Sequence, residues 1–288
     1  MIGGDRLLAP DAFQSSYLDT LAVNYGAGIN LLDFIGNPDS SRITINDWVA
    51  QRTADKITDL LATPDITSAT RLVLTNAVYL NAAWNEPFDP SNTRDGAFTL
   101  LDGSTVTTKL MGAELVGATG LAGAGFSAVS LPYQDTALSL LLVVPDEGTF
   151  AAFESAFDGS HLDAVIAGLT AQQVILSLPR FSVETPQDFV PLLESLGMTS
   201  AFQFGTADLS GMDGTKQLYV SKIAHKAFIA VAEKGTEAAA ATAVVVQNGS
   251  AAPSGLIVSA DRPFLFFLRD QPTGAILFAG RVLDPTKG

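Results

Sequence analysis

Near the C-terminus, Thr236 to Gly255 breaks the pattern that the rest of the chain keeps. The segment before it, Tyr219 to Glu233, reads as one long strand. Thr236 to Gly255 itself opens as a run of alanine and valine, nearly free of charge. Ala238–Ala241 has the propensity of a helix, whereas Val244–Val246 prefers a strand. The second part, Gln247-Asn248-Gly249-Ser250-Ala251-Ala252-Pro253-Ser254-Gly255, has loop composition. A connection with a strand-capable first half has two readings. It is an ordinary strand followed by a flexible link, or it is a segment able to join a sheet. Composition leaves both open.

The remaining chain predicts a mixture of helices and strands without βαβ alternation. Phe13, Tyr17, Leu18, Leu21 and Ala22, between Pro10 and Gly26, predict an amphipathic helix. Ile45, Trp48, Val49, Ile57, Leu60 and Leu61 predict a second, with Gln51, Arg52, Asp55 and Lys56 outward. Leu72 to Leu80 is almost continuously apolar and reads as a strand buried on both faces. Further strands are predicted at Phe98–Leu100, Val106–Met111, Ala128–Leu131, Leu138–Val144 and Val174–Leu178. A helical stretch is expected between Phe150 and Leu169, and a short helix from Pro186 to Leu196 with Thr185 as its N-cap and Gly197 closing it. Phe264–Leu268 and Ala275–Val282, around Asp270–Gly274, predict a hairpin. The fold class is α+β, with large mixed or antiparallel sheets and surrounding helices.

Composition removes several functions. The formal net charge is −14, and no Lys/Arg cluster is present, which disfavours nucleic acid, an anionic membrane or heparin as partner. No apolar run of about 18 residues or more suggests a membrane span. With no cysteine, disulfides, thiolate chemistry and Cys-ligated zinc are excluded. No cofactor or metal is expected. Met1 to Pro10 shows no signal-peptide pattern, although an extracellular or secreted location is expected. The motifs G-x-S-x-G, H-E-x-x-H and G-x-x-x-x-G-K-[ST] do not occur, and His161 and His225 are far apart, so no enzyme is expected.

Around the anomalous segment the residues become specific. Glu233-Lys234-Gly235-Thr236-Glu237-Ala238-Ala239-Ala240-Ala241-Thr242-Ala243 resembles the hinge of inhibitory serpins. Val220-Ser221-Lys222-Ile223-Ala224-His225-Lys226-Ala227-Phe228 resembles the strand before it. Asp261-Arg262-Pro263-Phe264-Leu265-Phe266 and Pro272 to Val282 resemble the family's last strands. Earlier motifs keep the same order. Thr44 to Val49 with Thr53 and Lys56-Ile57 resembles the helix lying across the main sheet, and Leu74 to Leu80 with Trp84 the central strand. Leu131-Pro132-Tyr133, Leu178-Pro179-Arg180-Phe181 and Leu193 to Met198 also fit. The whole chain, 1–288, is expected to be one serpin domain with its reactive loop at about 233–260. Relative to the family it is expected to lack the N-terminal helices, leaving apolar surface exposed beneath the sheet.

The resemblance implies a metastable inhibitor that traps a protease by suicide cleavage of the loop, with subsequent insertion of the loop as a strand. The residues suit it. Strand alternation places Thr236, Ala238, Ala240 and Thr242 on one face, all small, with Glu237 on the other. No proline interrupts the ladder, and Gly235 supplies a pivot. Counting from Gly235 puts the reactive bond at Gly249–Ser250, and counting back from Pro263 puts it nearer Ala252–Pro253; the hinge count is preferred. Val246 to Ala252 holds no Arg, Lys or large aromatic, so an elastase-like or subtilisin-like serine protease is the expected partner, with a cysteine protease as a further candidate and the inhibitor a monomer. By resemblance, Asn76 and His225 form a hydrogen-bonded gate where the sheet opens, and Trp84 sits where the loop enters. The plain alternatives are a satisfied core histidine and core packing. Two rivals to inhibition stand: a non-inhibitory serpin-like binding protein and an inactive fragment.

Overall fold

The computed structural model describes residues 2–3, 13–25, 30–70, 72–236 and 255–287. In chain order its helices are α1 (Ser15–Tyr25), α2 (Pro38–Arg52), α3 (Phe150–Ala156), α4 (Gly159–Gly168), α5 (Val190–Ser195) and α6 (Ser210–Asp213). The longer strands are β1 (Leu72–Tyr79), β2 (Arg94–Thr99), β3 (Thr105–Leu115), β4 (Thr119–Gly123), β5 (Phe126–Pro132) and β6 (Leu138–Pro145). They continue with β7 (Val174–Pro179), β8 (Phe181–Asp188), β9 (Lys222–Ala232), β10 (Leu256–Ser259), β11 (Phe264–Asp270) and β12 (Ile276–Val282). Two compact units divide the chain, residues 1–79 with 184–228 and residues 80–183 with 229–288.

In the first unit β1 pairs in parallel with β9, from Val73 opposite Lys222 to Tyr79 opposite Phe228. On its other flank β9 takes β8. One face of the β1–β9 pair is covered by α2. Ile45 and Val49 of that helix form one buried cluster with Val73, Ala224, Ile57, Leu60 and Leu61. A second cluster gathers Phe13, Leu72, Met212, Leu218 and Val220, against which Tyr17 and Leu18 of α1 pack.

In the second unit the apolar runs become two sheets. β4, β5, β6, β11 and β12 are successive antiparallel neighbours. β6 is buried at every position but its first, as a strand covered on both faces must be. Helices α3 and α4 cover one side of this sheet through Phe150 and Val165, packed with Ala128, Leu141, Val143 and Leu265. The other sheet has the order β10–β7–β3–β2, with only the β10–β7 pair parallel.

Several expectations change. The second helix ends at Arg52, although the apolar spacing runs on to Leu61. Ala54 and Asp55 turn into positive φ, 50° and 60°, which ends the helix. Ile57, Leu60 and Leu61 are nonetheless buried. Side chains meet the needs of the non-helical backbone: the Thr53 hydroxyl donates to Val49 O and accepts from Ile57 N–H. Trp48 is 42% exposed, with Arg52 over its ring, and lies outside the buried cluster that Ile45 and Val49 join. β1 is fully buried only at Leu72 and Val73, and Asn76 is exposed, so burial on both faces fails beyond its first two residues. Thr185 and Pro186 belong to strand β8, and the helix is only Val190–Ser195. Pro186 is tolerated because, among the described residues, β8 pairs only with β9 and so lies at an edge.

Asn46 explains how the segment after α2 is held. It is 5% exposed, its side-chain amide donates to Leu61 O at 3.0 Å, and its carbonyl accepts from Leu61 N–H at 2.9 Å. Asn46→Ala leaves the Leu61 N–H without a partner, costing about 1–3 kcal/mol when buried, and leaves Leu61 O with only the 3.4 Å bond from Arg42 Nη1. The expected outcome is a lower urea midpoint with an unchanged slope. A midpoint equal to wild type would show that the Asn46 bonds hold nothing.

Candidate functional site

The end of β9 and the first residues of the hinge are fixed by buried polar contacts within the second unit. After Ala232 the chain turns at Glu233 and Lys234, and Gly235–Thr236 returns antiparallel to β9, with Thr236 opposite Val231. The other edge of this two-residue strand pairs with Ala82–Ala83. The hinge therefore enters as a strand between two others. Gly235 has φ 148°, and a Cβ there would lie 2.1 Å from Ala82 O, so conformation and space both require glycine.

Thr236 is fully buried, and its hydroxyl shares a 2.6 Å hydrogen bond with the Tyr133 hydroxyl. Burial pushes the Tyr133 phenol well above its ordinary value, although the bond to Thr236 opposes the shift, so this group stays protonated. The Tyr133 ring stacks on Trp84, centroids 4.4 Å apart and planes 18° apart. Trp84, 1% exposed, donates its indole N–H to Ala232 O at 2.9 Å and its backbone N–H to Lys234 O at 3.0 Å.

Glu233 is buried as well. Its carboxylate accepts from Arg180 Nε at 2.8 and 2.9 Å and from the Thr93 hydroxyl at 2.7 Å, and its backbone carbonyl accepts from Phe88 N–H. Burial alone would raise its pKa. The bonds from Arg180 and Thr93, with the guanidinium charge, outweigh that and hold it below the ordinary 4.5.

In the first unit Asn76 and His225 are direct partners in the β1–β9 ladder. The expected hydrogen bond between their side chains is not made. The His225 ring lies flat against Phe189, 4.6 Å between centroids and 16° between planes, and its Nδ1 is buried without a hydrogen-bond partner. Burial depresses its pKa, which favours the neutral imidazole. The neighbouring Thr75 Oγ1 is also buried without a partner.

The structure thus gathers Trp84 with Glu233, Lys234, Gly235 and Thr236, and pairs Asn76 with His225. Glu237, Ala238, Ala239, Ala240, Ala241, Thr242, Gly249 and Ser250 lie outside the described residues.

Comparison with known proteins decides the family. A family model described as "Serpin (serine protease inhibitor)" matches residues 10–285. The chain belongs to the serpin family. It is 38% identical to Serpin B6 of Pongo abelii over 283 residues, covering 95% of this chain and 73% of that one. It is 34% identical to Antithrombin-III of Homo sapiens, covering 98% of this chain and 61% of the relative. The solved structure of thyroxine-binding globulin in complex with thyroxine has the same fold, at a TM-score of 0.84 and 27% identity over 99% of this chain and 74% of that one.

Sequence reasoning missed three residues of this serpin's hinge site: Tyr133, Arg180 and Thr93. Two of them stand in motifs that already carry the resemblance, Leu131-Pro132-Tyr133 and Leu178-Pro179-Arg180-Phe181. The motif marks the position, but the partner lies 103 residues away for Tyr133 and 53 for Arg180.

The sign of the Glu233 shift gives a pH test. A carboxylate with a depressed folded pKa stabilises above its unfolded value of about 4.5 and loses that stabilisation as the pH falls through the folded one. Wild type should therefore lose stability more steeply than Glu233→Gln on acidification below about pH 4.5. Parallel curves from urea titrations would contradict the ion pair with Arg180.

Proposed function

We propose that this serpin inhibits a serine protease of elastase-like or subtilisin-like preference, by loop cleavage, acyl-enzyme trapping and insertion of the hinge as a new strand. The observation that carries the reading is the hinge entry: Gly235–Thr236 is already paired on both edges, and Thr236 is fully buried. Register supports continuation. Through Thr236, Val231 stands against Ala82, an offset of 149 residues, and Lys222 opposite Val73 carries the same offset of 149. A strand extended from Thr236 between β1 and β9 would stay in step with both.

The next side chains suit such a path. Ala238, Ala240 and Thr242 share the face of Thr236 and are small, so they add little volume to a packed interior. Thr242 would come level with Asn76 and His225, on the face where Nδ1 of His225 lacks a partner. This is the basis for assigning Asn76 and His225 to the opening of the sheet, and Trp84 to its entrance. Cleavage at Gly249–Ser250 supplies enough free chain for the purpose. The uncharged loop Val246–Ala252 offers no side chain suited to a trypsin-like or chymotrypsin-like pocket.

The fold alone does not choose between inhibition and binding, since thyroxine-binding globulin shares it. The hinge composition supports inhibition, because a bulky or charged residue at an inward position would stop insertion, and Ala238, Ala240 and Thr242 are small. Incubation with subtilisin or elastase should give a complex that survives boiling in detergent. Cleavage without any such complex would refute inhibition. Thr242→Arg, further along the same inward face, would have to bury an unpaired guanidinium on insertion, costing several kcal/mol. It should turn inhibitor into substrate with little change in the rate of first attack. Glu237→Arg, facing outward, should still trap; equal effects of the two would overturn the assigned alternation. Limited cleavage near Gly249 should also raise the melting temperature, and an unchanged one would count against insertion.

A further inference from the structure

Within the second unit, the open face of the sheet β10–β7–β3–β2 carries a groove of about 490 Å³ that strand insertion does not use. The register shows why it is hollow. Gly112, Ser177 and Ser259 stand side by side on β3, β7 and β10 and floor it with little side chain. Two residues before them on β7 and β10, and so on the same face, Ile175 and Ile257 oppose each other and form one wall. Leu110, two residues from Gly112 on the other side, forms the second. Ile257 is 63% exposed while its neighbour Val258 is buried, so this face of the strand is the uncovered one. The volume lies in the range of sites that hold a ligand or a partner's side chains.

Arg94 stands at the rim, opposite Leu110. Its side chain is exposed and has no partner among the described residues, whereas the nearby cation Lys109 is taken by Asp95. Glu114, level with Ile175 at the other end, lies 3.4 Å from the side-chain amide of Gln173. An apolar trough with an uncommitted cation on its rim has the plan of a protein-docking surface, apolar at the centre and polar at the edge. Its complement is a surface that offers an apolar side chain to Ile175 and Ile257 and a carboxylate to Arg94.

We propose that this groove docks the body of the target protease, an enzyme that sets an apolar side chain against Ile175 and Ile257 and a carboxylate beside Arg94. The proposal rests on the reading above that a protease attacks the loop at Gly249–Ser250. Chain length brings that enzyme to the groove. Leu256, the first residue of β10, is tied to β7 by its N–H on Gln173 O at 2.9 Å. Ser250 precedes it by six residues, so the bond lies no more than about 20 Å from β10. A protease domain of about 250 residues has a radius of gyration of about 18 Å, so an enzyme gripping that bond reaches the start of β10, where Ile257 follows Leu256. Area points the same way. Protease–inhibitor interfaces engage roughly 20–30 residues a side, and Val246–Ala252 supplies only seven. The rest comes from surface beside the loop. Ile175, Ile257 and Arg94 thereby determine specificity where the uncharged loop offers little.

The test uses the intact protein with whichever of subtilisin and elastase attacks it faster. The readout is the second-order rate of first attack on the loop, which exists whether or not the enzyme is then trapped. Ile257→Asp should slow that attack roughly five- to twentyfold, through KM rather than kcat. Arg94→Glu should slow it roughly three- to tenfold, with the gap from wild type narrowing as salt is added. Leu101→Asp is the control. Leu101 is also an exposed apolar residue of this sheet, but it sits in the β2–β3 turn, and Thr105 just after that turn is nine residues along β3 from Glu114, about 30 Å. That variant should keep the wild-type rate. All three side chains are exposed, so the melting temperatures should match wild type. A wild-type rate in Ile257→Asp or in Arg94→Glu, or equal slowing in Leu101→Asp, would overturn the docking surface. If Ile257→Asp and Arg94→Glu slow a cleavage that never yields a covalent complex, inhibition fails and the docking surface stands. If every variant traps the enzyme at the wild-type rate, the docking surface fails and inhibition stands. A wild type that neither enzyme attacks would overturn both.

Discussion

The parallel ladder between β1 and β9 joins segments 149 residues apart, and the first unit is arranged around it. α2 lays Ile45 and Val49 across both strands, and β8 extends the ladder beyond β9. Yet it is a ladder of the weaker kind, since parallel pairs are slightly less stable per residue than antiparallel ones. A strand placed between β1 and β9 in the direction of Gly235–Thr236 would replace one parallel ladder by two antiparallel ones. Each added backbone bond is worth about 0.5–1.5 kcal/mol net. The pairing that organises the unit is therefore also one that would gain hydrogen bonds from admitting such a strand.

The two ends of the proposed path differ in how well their polar groups are satisfied. At the entrance, Glu233 and Thr236 are buried and fully partnered, by Arg180 and Thr93 in one case and Tyr133 in the other. Gly235 is barred from any side chain by the close approach of Ala82 O. Midway, His225 Nδ1 and Thr75 Oγ1 are buried with no partner. Buried polar atoms are rarely left so, and such exceptions mark places where a structure is under-satisfied. A well-satisfied entrance and an under-satisfied middle are what a strand-accepting seam would show before it is filled.

Much of this was legible in the sequence, for reasons that differ by element. Continuous aliphatic runs such as Leu138–Val144 can hide only inside a sheet, and they do. The end of α2 was not legible, because Ile57, Leu60 and Leu61 keep a helical spacing while buried from a loop. The side chains that make this possible, Thr53 and Asn46, act over 4 and 15 residues and leave no periodic trace. Pro186 misled because it suits the first turn of a helix as well as an edge strand. At the site, Gly235, Thr236 and Trp84 were legible through the family resemblance. Tyr133 and Arg180 were legible as motif residues but not as contacts, since a hydroxyl pair or a guanidinium on a carboxylate shows no spacing in one sequence.

Charge at the seam has its own logic. The chain holds 16 lysines and arginines against 30 acidic residues, yet it commits Lys222 and Lys226 to shielded positions on one strand. Apolar side chains there would hold β1 and β9 together in proportion to the area they bury, and would resist separation until that area was exposed. Ion pairs behave differently. Desolvation cancels much of their attraction, so they contribute modest net stability, and replacing shielded pairs by hydrophobic residues often stabilises a protein. Once exposed, such charges are screened by water and salt. The shielded ion pairs on this strand, Lys222 with Asp65 and Lys226 with Glu184, therefore add less to its hold than apolar side chains in the same places would. A modest hold is what insertion of a strand, racing against hydrolysis of an acyl-enzyme, would require.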